Sequence, residues 1–523
     1  MITLRSYVAD TFIAGAPPRA PLYNPATEEV LAETSTIGVD LGAAEAHART
    51  CGGPALRELS FAARGQLLIA ASQALHAARD ELLALSMDNG GNTRSDAKFD
   101  VDGAIATLAA YGELGQRLGE TRWLRDGEGV QPTRSPKLWG EHLFVPRQGI
   151  AVHINAFNFP AWGLCEKAAV AWLCGLPVIT KPATSTAWLA CRIVEILAER
   201  KILPSGSLQL LAGSVGDLLD RLGPQDVLAF TGSSETAEKL RRHEAVVRRG
   251  VRLNVEADSL NAAILGPDGQ SGSELYDLFL SDVVRDITQK AGQKCTAIRR
   301  IFVPAPRLAE VAADLTERLG AVRVGHPRRE EVGMGPLSTA AQLQAVREGI
   351  RRLEAEPGVR RLTGGPEPVS GLGAPEGKGY FVRPTLLQCD RPLEATAIHE
   401  QEVFGPVATI MAYEAPTDLA ALVRRGGGGL VASLYSDDRS LVSELVLALG
   451  PYHGRLFLGS ARLAGQSPGP GTALPQLNHG GPGRAGDGHE LGGVRGMELY
   501  MQRCAIMGYR PVVESLLPRP GQP

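Results

Sequence analysis

The chain has 523 residues, a formal net charge of −3, and 44% hydrophobic and 21% charged residues. That length exceeds one core and implies two or three lobes, and the near balance of charge gives no reason to expect nucleic acid or an anionic membrane as partner. Seven cysteines (Cys51, Cys165, Cys174, Cys191, Cys295, Cys389, Cys504) are scattered without CxxC spacing. This argues for a reducing compartment, with neither a disulfide framework nor a metal site. The N-terminus lacks the apolar core of a signal peptide, and no run of about 18 apolar residues exists. A cytoplasmic protein is expected.

Residues 1–50 suggest short strands and turns, including Asn24-Pro25-Ala26-Thr27. A long amphipathic helical pattern covers 59–87 and ends at Asn89-Gly90-Gly91, a plausible C-cap; a second covers about 95–118. Segment 126–148 is expected to be extended, as is the tail after about 494. Two extended pieces so far apart can pair as an arm. From 149 strand and helix alternate: strands at 149–154, 176–181, 208–211 and 227–231, helices at 160–175, 185–200 and about 234–247. Apolar strands separated by helices of this length predict a parallel, doubly wound sheet. The pattern restarts after 261–266, so a second α/β lobe is expected over about 258–460.

Thr288 to Arg300 holds the chemically most suggestive residue. Tyr276, Leu280, Val283, Val284, Ile287 and Ala291 recur at helical spacing, with Ser271 and Glu274 placed like a capping box. Gly292 permits a break, Cys295 follows, and Arg299-Arg300-Ile301-Phe302-Val303-Pro304 suggests a strand. A cysteine on a loop between rigid elements can sit at a cleft as a thiolate nucleophile. In isolation, such a residue is more often a small buried hydrophobe.

Phosphate-compatible turns follow three strands of the first sheet: Lys181, Gly213-Ser214-Val215-Gly216, and Thr231-Gly232-Ser233-Ser234, the last opening a helix. Ligands bind at such strand ends, and a helix N-terminus attracts phosphate. The one literal GxGxxG, Gly481 to Gly486, is expected to be a decoy with no strand leading into it. Its surroundings, His479 to Gly493, hold seven glycines and could let the backbone approach a ligand closely.

Six segments, in order, resemble the aldehyde dehydrogenase superfamily: Asn24 to Val30, Phe157-Asn158-Phe159-Pro160, Lys181-Pro182-Ala183, Phe230-Thr231-Gly232-Ser233, Gly292-Gln293-Lys294-Cys295, and Glu402-Val403-Phe404-Gly405-Pro406-Val407. The resemblance implies an α/β fold with two doubly wound, Rossmann-like lobes and a small extended oligomerisation arm. It implies a dinucleotide-binding domain at 1–125 and 149–257, a catalytic domain at 258–460, an arm from 126–148 and 494–523, and a Gly-rich substrate-side loop at 461–493. It implies that Cys295 attacks an aldehyde, that Asn158 and the Cys295 backbone N–H hold the oxyanion, and that Glu256 activates the deacylating water. Lys181, Ala183, Thr184, Gly213, Gly216, Thr231, Gly232, Ser233, Glu402 and Phe404 would contact the cofactor, and His153, Phe157 and His479 the substrate.

Departures from the family pattern carry information. The two glycines behind the family's glutamate are replaced in Glu256-Ala257-Asp258-Ser259-Leu260-Asn261, and a helix glycine is Ala237. Thr184 stands where NAD-preferring members carry a glutamate, which favours NADP, with NAD possible. Asn155 to Pro160, Glu256 to Asn261, Lys290 to Arg300 and His479 to Gly486 are similar to a subgroup oxidising semialdehydes that carry a coenzyme A thioester. With the chain ending at Pro523, a stand-alone enzyme of benzoate degradation, taking 3,4-didehydroadipyl-CoA semialdehyde as a homodimer, is expected. Alternatives are the phenylacetate-pathway semialdehyde, a general aldehyde, an acylating enzyme (against which Glu256 argues), and a non-catalytic homologue. Lys290, Lys294, Arg299, Arg300 and Arg484 carry no expected role.

Overall fold

A computed structural model describes residues 1–516, so the end of the expected arm, 517–523, lies outside the described residues. Two seven-stranded sheets form the body. In the first, Arg252–Glu256, Val227–Thr231, Ala151–Ile154, Val178–Lys181 and Leu208–Leu210 lie side by side and parallel. The N-terminal strands Ser6–Val8 and Thr11–Ile13 close its edge antiparallel. Successive side chains of a strand point to opposite faces, so Ala151, Val178 and Val227 join one core while Val152, Ile179 and Leu228 join another.

The second sheet runs Val359–Gly365, Arg383–Cys389, Val407–Tyr413, Ile298–Pro304, Asn261–Leu265, Gly429–Tyr435, His453–Gly459, parallel except for its first strand. It too is sandwiched: Ile264, Phe302 and Met411 pack to one side, Ala263, Ile301 and Ile410 to the other. Crossover helices on both faces cover both surfaces of each sheet, which is why its strands carry apolar residues on both faces.

Several expected boundaries moved. The 59–87 pattern is two helices, Phe61–Ala77 and Arg79–Gly90, broken at Ala78; Gly91 takes the left-handed cap at φ 69°. The 234–247 helix is likewise Ser234–Arg241 and Glu244–Val247. The helix before Cys295 is capped by Ser273, whose side chain accepts from the Tyr276 N–H, so Ser271 and Glu274 form no capping box. The two extended pieces pair antiparallel in unbroken register from Met501↔Pro146 to Tyr509↔Leu138, with Leu124–Arg125 on the far side.

Phe61–Ala77 and Arg94–Leu118 cross where Gly65, Gly112 and Gly115 let backbones touch. A β-carbon on Gly115 would lie 2.6 Å from the Phe61 carbonyl oxygen and 2.7 Å from Gly65 Cα. Backbone cannot yield as a side-chain tip can, so Gly115→Leu is expected to cost at least about 1–3 kcal/mol. A lowered denaturant midpoint with unchanged m-value checks this.

Candidate active site

The C-terminal ends of the first sheet's parallel strands open onto a cleft of about 840 Å³ that the second lobe closes. Ile154 to Asn158, Lys181, Ala183, Thr231 to Ser234 and Glu256 to Asp258 line one wall; Cys295, Glu402 and Phe404 line the other. Volumes of about 300–1,000 Å³ are typical of ligand sites. A smaller chamber of about 40 Å³ shares Asn158, Glu256 and Cys295 with the cleft and adds Phe99, Glu166, Lys167, Gly471 and His479. A third depression, of about 400 Å³, shares Phe99, Trp162 and Ala473 with that chamber. Cys295 therefore stands where two approaches meet.

What aims Cys295 is a left-handed turn. Lys290, Ala291 and Gly292 take φ of 54°, 51° and 67°, and two non-glycine residues in this region are strained, a state that persists only when the surroundings hold it. Arg299 does much of the holding. Its guanidinium donates to the Gly292 carbonyl at 3.0 Å, the Gly405 carbonyl at 2.7 Å and the Lys294 carbonyl at 3.3 Å, and pairs with Glu402 at 3.1 Å. Lys294 is pinned by Asp286 at 2.7 Å and Gln289 at 2.8 Å. The Asn261 amide donates to the Cys295 carbonyl at 2.8 Å, and Thr296 Oγ1 to the Gly471 carbonyl at 2.8 Å. Gly292 has no room for a side chain: a β-carbon would lie 2.3 Å from the Gly405 oxygen. Arg300 is buried against the Leu260, Leu422 and Val423 carbonyls, a packing role. Lys290 Nζ sits 4.6 Å over the Phe159 ring, where burial lowers its pKa, opposed by Asp100 and Asp96.

Asn158, buried, donates one amide hydrogen to the Gln293 carbonyl at 3.0 Å, leaving its second N–H. Glu256 is buried at its strand's end, with its Oε1 3.3 Å from His479 Nε2. Burial would raise its pKa, but the charges of His479 and Lys167 outweigh burial and hold it down at about 2. Burial and the Glu256 charge push the Cys295 thiol well up. Burial lowers the His479 imidazole, but the Glu256 charge outweighs it and the net shift is upward. Lys167 bridges Glu166 and Glu490, each at 3.1 Å. Burial drives the Glu490 carboxyl up to about 7 although Lys167 opposes it.

Among residues expected at the cofactor, Lys181, Ala183, Thr231, Gly232, Ser233, Glu402 and Phe404 do line the cleft. Gly213 and Gly216 do not; their backbones lie against Thr36 and Leu41, so the turn between them serves packing of the N-terminal segment. Thr184 opens the 3-10 turn Thr184–Thr186 just beyond Ala183, outside the lining set. Ala237 is core. Of the substrate candidates, Phe157 lines the cleft, edge-on to Phe404 at 5.8 Å, and His479 lines the small chamber. His153 is a correction: it is fully buried, sharing a hydrogen bond with Tyr500 Oη at 3.1 Å, and reaches neither cavity.

The Gly-rich segment also differs from expectation. A strand, Asn478–Gly481, does lead into the GxGxxG, but it belongs to an antiparallel hairpin with Gly488–Leu491, not to a parallel βα unit. Its glycines approach protein backbone rather than a ligand: a β-carbon on Gly486 or Gly488 would meet the Val255 oxygen at 2.4 or 2.2 Å. Arg484, from this segment, pairs with Asp258, so the acid that replaces a family glycine is neutralised by a neighbour far off in sequence. Glu166, Lys167 and Glu490 went unnoticed in the sequence. The available signal was Glu166-Lys167 inside Trp162–Leu173, a helix whose twelve residues are all buried.

The cleft suits a dinucleotide. Thr231 Oγ1 is buried with no hydrogen-bond partner, Lys181 has no carboxylate partner among the described residues, and the Ser233-capped helix Ser234–Arg241 opens at the wall. An unpaired hydroxyl, a lone ammonium and a helix N-terminus together favour a phosphate-bearing ligand.

These features fit a two-lobed α/β oxidoreductase with a cysteine where a cleft suited to a dinucleotide meets a smaller chamber. Residues 12–502 match the Aldehyde dehydrogenase family, and the chain belongs to it; the family uses NAD or NADP. A 3,4-dehydroadipyl-CoA semialdehyde dehydrogenase from Aromatoleum evansii is 45% identical over 92% of this chain and 93% of its own length. Protein MaoC from Klebsiella aerogenes is 43% identical over 34% of this chain and 50% of its own length. Among solved structures, lactaldehyde dehydrogenase from Escherichia coli superposes with a TM-score of 0.84 at 24% identity, covering 97% of this chain and 99% of that one. 3,6-Anhydro-L-galactose dehydrogenase in complex with NAP gives a TM-score of 0.83 at 21% identity, covering 97% and 99%. The fold is theirs. Among the described residues no helix is long and apolar enough to cross a membrane.

Arg299→Gln removes the buried hydrogen bonds from the guanidinium to the Gly292, Lys294 and Gly405 carbonyls, and hydrogen bonds to a charged group contribute about 1.5–3 kcal/mol. It is therefore expected to lower the unfolding free energy by about 3 kcal/mol and to lower kcat/KM as the turn relaxes. Denaturant unfolding and steady-state kinetics check the two effects separately.

Proposed function

We propose that this aldehyde dehydrogenase oxidises a coenzyme A-linked semialdehyde to the acid through a covalent intermediate on Cys295, with NADP preferred. The observation that carries it is the convergence of Cys295, Asn158 and Glu256 at the meeting point of the cleft and the chamber. The Cys295 sulfur adds to the aldehyde carbon. The second N–H of Asn158 and the backbone N–H of Cys295 receive the oxyanion; losing one such donor typically costs about 10²–10³ in rate. The dinucleotide, when bound, supplies the hydride acceptor, held by Lys181, Thr231 and Ser233 at its phosphates and by Glu402 and Phe404 near its reactive end.

Hydrolysis of the resulting thioester needs a base, and Glu256, kept ionised beside His479, suits it. An ionised buried base here also favours hydrolysis over release of a new CoA ester. The proton it gains can move into the Glu166–Lys167–Glu490 cluster, where burial raises the affinity of the Glu490 carboxyl for a proton. The substrate assignment rests on the Aromatoleum evansii relative. The depression lined by Lys98, Phe99, Asp102, Trp162 and Thr472 to Pro475 offers a largely apolar approach for a long thioester arm. NADP preference rests on Thr184, whose neutral side chain would not repel a 2′-phosphate as a carboxylate would. The edge strand Met501–Tyr509, which exposes Met507 and Tyr509, supports the homodimer reading.

Cys295→Ala is expected to abolish NADPH formation, read by absorbance; persisting formation sinks the mechanism. A CoA-linked semialdehyde is expected to exceed the free acid semialdehyde at least ~10-fold in kcat/KM, remote binding energy being used in the transition state. Thr184→Glu is expected to lower kcat/KM for NADP at least ~10-fold, by placing a carboxylate against phosphate, and to spare NAD. Sedimentation of the intact chain at twice the protomer mass tests the dimer.

A further inference from the structure

A fourth side chain stands against the reacting sulfur. His479 lies on the hairpin strand Asn478–Gly481, 5% exposed, with Nε2 3.8 Å from Cys295 Sγ and 3.3 Å from Glu256 Oε1. The three atoms all lie within 4.8 Å of one another, so one ring nitrogen faces both a thiol and a carboxylate. The backbone around it leaves little freedom. His479 pairs with Glu490 in the hairpin register, and Gly480, at φ 137°, passes so close that a β-carbon would lie 1.9 Å from the Gly488 oxygen.

We propose that His479 is a catalytic residue that takes the thiol proton of Cys295 and, as imidazolium between thiolate and Glu256 carboxylate, keeps the sulfur nucleophilic. The inference rests on Cys295 being the nucleophile. The Sγ–H bond breaks, its electron pair stays on sulfur, and the proton passes to Nε2. That sulfur pair then forms the C–S bond while the carbonyl π pair moves to oxygen. No net charge is created, and Glu256 remains a carboxylate throughout. The division of labour matters for the second half-reaction. Were Glu256 to take the thiol proton, it would hold that proton when a base for water is next required.

Electrostatics favour the same assignment. The Glu256 charge draws a proton toward the adjoining imidazole, and an imidazole is nearer a thiol in basicity than an ordinary carboxylate is. The groups facing His479 are Glu256 and Cys295, Glu166 from the Trp162–Leu173 helix, and Arg455 from the His453–Gly459 strand, with Lys167 and Glu490 behind Glu256. Glu256 and Glu166 favour the imidazolium and Arg455 opposes it. The proton is thus shared, and the apparent pKa belongs to the group of three rather than to the cysteine.

The test is the rate of iodoacetamide alkylation of Cys295 in the full-length protein, from about pH 5.5 to about pH 9, across the range of an ordinary thiol. Mass spectrometry assigns the site, and Cys295→Ala gives the background. Wild type is expected to alkylate at neutral pH at least ~10-fold faster than His479→Gln, a conservative share of the ~10²–10⁴ that a general base contributes to a rate. In the variant the profile is expected to shift to higher pH. His479→Phe keeps the bulk and is expected to behave like His479→Gln, with thermal unfolding checking that both fold. Profiles that superimpose on wild type overturn the proposal. Activity surviving in Cys295→Ala instead overturns the nucleophile assignment itself, so the two failures are distinguishable.

Discussion

The guanidinium of Arg299 is the knot on which the active site depends. It begins the second lobe's strand Ile298–Pro304, yet its hydrogen bonds run back to Gly292 and Lys294 and across to Gly405 and Glu402. It thereby fixes both the left-handed turn that aims Cys295 and the segment that presents Glu402 and Phe404 to the cleft. Three consecutive positive φ angles, two at non-glycine residues, would not persist in a free loop. The cost of that backbone is offset by buried, charge-assisted hydrogen bonds, which are stronger than neutral ones. Burial exacts its own consequence. With Asp258 nearby, burial outweighs Arg299 and drives the Glu402 carboxyl up to about 8.

A second constraint is the meeting of the two sheets. The C-terminal ends of the first sheet's parallel strands deliver Asn158, Lys181, Thr231 and Glu256 to one edge, as doubly wound folds do. The second lobe presents the opposite ends of its strands, with Cys295 and Glu402 just ahead of Ile298 and Val407. Neither lobe holds a complete site. The hairpin at Asn478–Leu491 completes it from behind, bringing His479 to the sulfur and Glu490 to Lys167. A small buried volume there contains Glu166, Lys167, Glu256, Glu490 and His479. Unpaired charge is costly in such a place, and the shifts of Glu256 downward and Glu490 upward are how these groups share it.

Much of this was legible in the chain. Apolar strands alternating with helices predicted the doubly wound sheets, because a strand buried on both faces must be apolar on both. Gly292 marked a break before Cys295, but Ala291, expected on the preceding helix by its spacing, takes a positive φ as well. Lys181 and Thr231 could be placed at the cleft because strand ends are short and their turns carry recognisable residues, whereas Asn158 came only from the resemblance of its motif. The Gly213–Gly216 turn was equally recognisable, yet it faces Thr36 and Leu41, and no local pattern indicates which way a turn faces.

What sequence alone determined, then, was the fold class and the break that precedes Cys295. These follow from local periodicity, backbone geometry and ordered motifs. Tertiary structure alone decided the partners. That His153 is sealed against Tyr500 while His479 touches Cys295, that Asp258 finds Arg484, and that Glu166 and Lys167 meet Glu490 are contacts between residues far apart in the chain. Such contacts depend on how two sheets and a hairpin close on one another, and the protonation of each buried group depends on its neighbours in space rather than in sequence.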